Sequence, residues 1–184
     1  MTPWFNVRKA AQVAAYFALQ EQGEINILKL IKLVYMADRK FMGLYDVPML
    51  NDQLVSMSHG PVNSLTYDYA NGAEEADDWN EFLSGRARYM VGLATPGISE
   101  ENLDELSRAE LRVLRNVWQE LGHMDRFEIR NYTHEHCPEW EDPHGSSFPI
   151  PYSRVFNFLG KQNSSELEDR ILSERQVAAN LAGE

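Results

Sequence analysis

The side chains best suited to chemistry lie close together in the second half of the chain: Thr133-His134-Glu135-His136-Cys137, with His144 a short way on. Imidazole and thiolate are the natural ligands of zinc, and three or four of them in a tetrahedron make a site. The spacing does not favour one. It matches no zinc-finger pattern, and it lacks the arrangement that sets two imidazoles on one helical face with a general base between them. Residues two apart on a helix point about 200 degrees apart, so His134 and His136 share an ion only in extended or loop structure. A metal-dependent enzyme built on His134 to Cys137 therefore stands as the weaker alternative, and no metal or cofactor is expected. Cys137 with a histidine is the other conceivable pair, a nucleophile and its base. Pro138 follows directly, no local signature surrounds it, and a lone cysteine is more often packed than reactive. No glycine-rich phosphate loop occurs, since Gly85 and Gly92 are too far apart to form one. With no catalytic set assembled, binding is the simpler reading and no enzyme is expected.

The elements that must position these groups can be read from periodicity. Thr2 before Pro3 predicts an N-cap and a first-turn proline, and Val7, Ala10, Ala14, Phe17 and Ala18 then repeat at helical spacing to about Gln20. Asn26 caps a second helix whose stripe is Ile27, Leu30, Ile31, Val34 and Phe41, with Gly43 as its end. That stripe is wide, as in a central helix touching several neighbours. On the same wheel Lys29, Lys32 and Arg39 are expected to face solvent. Gln53 to Ser58 predicts a short strand, and Arg86 to Leu93 alternates with the period of two of a half-buried one. These two are expected to pair, with a third helix opened by Pro61 and closed at Asn71-Gly72 between them.

Three serine- or aspartate-led helix starts follow, each with glutamate three residues on: Ser107 with Glu110, Asp125 with Glu128, and Ser165 with Glu168. The first of these helices carries Leu111, Leu114, Val117, Trp118 and Leu121 inward and stops at Gly122. A proline-rich stretch from Pro138 to Pro151 leads to a short helix over 152–159. The last helix is polar apart from Leu167, Ile171, Leu172 and Val177, which suits loose packing or a partner.

Charge and cysteine usage bound the function. The 184 residues carry 28 acidic and 17 basic side chains, a net charge of -11, which argues against a protein that neutralises nucleic-acid phosphates and makes a basic protein partner the more natural one. The run Glu74, Glu75, Asp77, Asp78 and Glu81 reads as a solvated acidic face. A single cysteine permits no intrachain disulfide and suits a reducing compartment. No signal-peptide pattern and no membrane-length apolar run is present, so a cytoplasmic protein without membrane contact is expected.

Two stretches carry a resemblance. Lys29-Leu30-Ile31-Lys32-Leu33-Val34-Tyr35-Met36-Ala37-Asp38 with Gly43, Asp52, His59-Gly60-Pro61-Val62 and Tyr67, followed downstream by Thr133-His134 and Pro138-Glu139-Trp140, resembles the Panacea domain of SocA-like antitoxins. Two positions of the expected strand depart from that pattern: Leu54 where an aromatic residue is common and Ser56 where a small apolar one is usual. The resemblance implies a mainly α (α+β) fold, a compact helical domain with a small antiparallel β element, spanning 1–160 with 161–184 as a C-terminal helical extension. It implies an antitoxin that binds and neutralises a cognate toxin protein, in some members as an adaptor to an ATP-dependent protease, and an association with phage or mobile elements. A phage or prophage accessory protein binding a host protein is the alternative within that reading. His59, Gly60, Pro61, Val62, His134 and Trp140 are the family-motif residues expected to be structural. Lys32, Tyr35, Asp38, Arg39 and Tyr67 are the expected partner contacts, Tyr69 being a further tyrosine suited to that role.

Overall fold

A computed structural model describes residues 2–183. The first helix, α1 (Val7–Gln20), starts later than Thr2-Pro3 predicts: Asn6 is the cap, its side chain accepting from the Lys9 amide. Strand β1 (Glu24–Asn26) precedes α2 (Ile27–Tyr45), which Asn26 caps through the Leu28 amide as expected. Gly43 does not stop α2. The helix runs two residues past it and ends at Asp46, which takes the left-handed conformation at φ 61°.

Strands β2 (Leu54–Met57) and β3 (Gly60–Asn63) form an antiparallel hairpin directly before α3 (Ser64–Asn71). Pro61 is therefore a strand residue and not the opening of a helix, because the register Ser56 to Pro61 draws it into the hairpin. Helix α3 closes at Gly72, φ 75°. The short helix α4 (Asp77–Asn80) leads to β4 (Met90–Gly92). The expected pairing of the two predicted strands does not form: β4 pairs with β1, and β2 pairs with β3 and with β5 (Phe148–Pro149).

In the second half α5 (Arg108–Leu121) and α6 (Arg126–His136) both begin with capping boxes, at Ser107/Glu110 and Asp125/Glu128. Helix α7 (Tyr152–Phe158) follows β5, and α8 (Ser164–Ala182) starts after Asn163 with no side-chain cap, so the Ser165/Glu168 pair lies inside it. The result is mainly α, with eight α-helices and two small antiparallel sheets among the described residues.

Two apolar clusters lie on different sides of α2. The larger is built on Leu30, Leu33, Val34 and Ala37 against α1 and α5, and the smaller joins Tyr35 and Met42 to Leu54, Cys137, α7 and the start of α8. Helix α2 is thus largely enclosed, and Lys29, Lys32, Tyr35 and Asp38 on it are buried. Leu54 fills the second cluster, and the Ser56 hydroxyl accepts the Glu141 amide at 3.3 Å.

Candidate functional site

The polar residues of α2 act as an internal frame. Lys32 is 0 % exposed, and its Nζ donates to the Pro61 carbonyl at 2.8 Å. Asp38 is equally buried: its Oδ1 accepts the Met49 amide at 2.6 Å and its Oδ2 accepts Asn63 Nδ2 at 2.7 Å. One turn away, Tyr35 donates to buried Glu139 at 2.7 Å, and Arg39 grips the same carboxylate at 2.6 and 3.2 Å. Lys29 is also buried, donating to Glu21 and the Gly122 carbonyl. The outward orientation expected for Lys29 and Lys32 is therefore corrected, and Arg39 is mostly covered. Lys32, Tyr35 and Asp38 offer a partner no surface in this fold; each satisfies a loop's backbone or a buried charge, the usual condition for burying a polar group.

Burial sets their ionisation. It lowers Lys32 to about 7 and raises Asp38, against which the Asn63, Met49 and Leu50 hydrogen bonds work. Asp52 is raised to about 6 by burial, although it accepts from the Thr66 hydroxyl and from the Leu65 and Thr66 amides. Cys137 is raised by burial, and next by Glu139, to about 12, the opposite of what a nucleophilic thiol needs.

The His59-Gly60-Pro61-Val62 turn closes over this frame. Gly60 has φ 99°, and a Cβ there would lie 2.9 Å from Thr133 Oγ1 and 3.1 Å from Lys32 Nζ. Only glycine fits that approach. Across the turn Trp140 Nε1 donates to the Met57 carbonyl at 2.9 Å, and its ring stacks on His134 at 4.1 Å with the planes 3° apart. The other histidines diverge: His136 stacks on Tyr132 and bonds its carbonyl, while His144 lies in an exposed loop. No group of three or more histidine, cysteine or acidic side chains is placed to hold a metal among the described residues.

Above the frame lies a groove of about 700 Å³. Ile27, Leu28 and Ile31 of α2 and Val62 of the hairpin give it an apolar floor, with Lys32 below. The more exposed residues that line it include His59, Tyr67, Arg86, Tyr89 and Arg126. Among the expected contacts Tyr67, which is half-buried, and the buried Lys32 line this groove. Tyr69 stacks between Phe5 and Trp79 instead. Sequence reading missed Arg86, Tyr89 and Arg126 as contacts. The available signal was the basic island Arg86-Ala87-Arg88, which follows the acidic run after Phe82-Leu83-Ser84-Gly85.

The family comparison covers most of the enclosed motif and part of the groove lining. The model of the family "Antitoxin SocA-like, Panacea domain" matches residues 30–141, more than half of the chain, and the chain belongs to that family. No curated protein and no solved structure matches it. The antitoxin family points to a role by binding, with a toxin as the general kind of partner.

Proposed function

We propose that this chain is an antitoxin that neutralises a toxin protein by direct binding in the cytoplasm, without a chemical step, and that the groove over the N-terminal half of α2 is where the toxin is seated. The observation that carries this reading is the family match over residues 30–141. The groove supports it. It has the apolar floor and polar rim of a binding surface, and it rests on a frame locked by buried hydrogen bonds, which lowers the ordering cost of association. The finer form is delivery of the bound toxin to an ATP-dependent protease.

Co-expression with the product of the adjacent gene tests the proposal. The expected result is rescue of growth and a stoichiometric complex that survives purification. A harmless neighbour that forms no complex contradicts it. The adaptor form adds one expectation: the toxin's half-life in cells shortens when the chain is present, and shortens only while the protease is active.

A further inference from the structure

The groove is cationic on an acidic molecule. Arg86 and Arg126 line it while no acidic side chain does, although the whole chain carries a net charge of -11. The two arginines are also unspent. Neither forms an ion pair among the described residues; Arg86 lies 4.6 Å over the Tyr89 ring and Arg126 4.7 Å over the Phe127 ring. A guanidinium over an aromatic ring keeps donors available for a carboxylate.

The backbone at the rim adds an independent sign. Arg88 and Tyr89 both adopt positive φ, 50° and 63°, in a tight turn closed by the reciprocal bonds of Ala87 and Met90. Such turns prefer Asn-Gly, and two residues with bulky side chains there are strained. The strain has a visible product. Tyr89 is 68 % exposed at the mouth of the groove, while its carbonyl is fixed by the Ile27 amide at the start of α2. Asn26, Ile27 and Leu28 of that helix start line the groove.

We infer that the groove takes an acidic, apolar segment of the partner protein, one in which carboxylates engage Arg86 and Arg126 while neighbouring leucine- or phenylalanine-type side chains enter the Ile27, Leu28, Ile31 and Val62 floor. The inference rests on the reading that the groove is the partner's seat, and it names the chemistry of the segment seated there. The acidic surface elsewhere repels such a segment, so its attachment is confined to this one position.

The test is selection of a random displayed peptide library on the full chain, followed by fluorescence anisotropy with the enriched peptide. Enriched sequences are expected to carry aspartate or glutamate beside large apolar residues. Affinity is expected to fall about tenfold or more in Arg86→Glu/Arg126→Glu and to rank in between in Arg86→Gln/Arg126→Gln. Arg112→Glu, on the exposed side of α5, is the charge-reversal control away from the groove and is expected to bind as the parent does. Enrichment of basic or purely apolar peptides, no enrichment, undiminished binding by the reversed variant, or equal binding of oligothymidylate would each overturn the inference. Its failure is separable from that of the antitoxin reading. A chain that captures the adjacent gene's product yet selects no acidic peptide retains the function and loses this chemistry; acidic selection without that complex does the reverse.

Discussion

Lys32 illustrates how a motif residue can matter without touching a partner. Its ammonium lies under Gly60-Pro61, where burial lowers its folded pKa from 10.5 to about 7. The native chain then holds fewer protons at Lys32 than the unfolded one, so stability rises as pH climbs from about 7 to about 9, above which the buried Cys137 thiol, raised from 9.0 to about 12, acts in the opposite sense. Chemical denaturation across that range is expected to show the rise in the parent and to lose it in Lys32→Met. Arg39 is the second case. Arg39→Glu sets a carboxylate against buried Glu139 and removes its counter-charge, a loss on the order of 3–5 kcal/mol; a variant that unfolds at the parent's denaturant midpoint would contradict the buried frame. Gly60→Ala combines a positive φ with a close approach to Thr133 and is expected to cost at least about 1–3 kcal/mol by the same measurement.

At the scale of elements, local signals were legible and non-local ones were not. Asn26, Ser107 and Asp125 were readable as caps because a cap is decided within four residues. Thr2-Pro3 misled because Asn6, nearer the apolar stripe, captures the Lys9 amide first. A clean contrast follows: Asn6→Ala is expected to cost about 1 kcal/mol and Thr2→Ala almost nothing, read as shifts in unfolding midpoint. Strands β1 and β5 are too short to leave a period, and their partners lie far along the chain. The misreading of α2 has a different origin. A helical wheel divides apolar from polar positions but cannot see that a second cluster, with Glu139 and the hairpin, covers the polar side as well. For the same reason Tyr67 and the His59 turn were identifiable as places of interest, whereas Arg86 and Arg126 meet at the groove only through the fold.

Taken as a molecule, the chain separates scaffold from recognition. The family motif occupies the interior, and the groove above it is bordered by residues from regions as distant in sequence as Tyr67, Tyr89 and Arg126. In such a division rim residues can change without disturbing the buried hydrogen bonds. It also sharpens what net charge can say: an overall charge of -11 favours a basic partner at long range, while the groove selects a local acidic segment at contact. No helix among the described residues is long and apolar enough to cross a membrane. The central claim, that this antitoxin-family chain binds a toxin through the groove over α2, is tested most directly by isothermal titration of the full chain with the purified product of the adjacent gene. The account predicts a stoichiometric complex, weakened about tenfold or more by Arg86→Glu/Arg126→Glu and unaffected by Arg112→Glu; the absence of a complex, or one equally tight in the reversed variant, would contradict it.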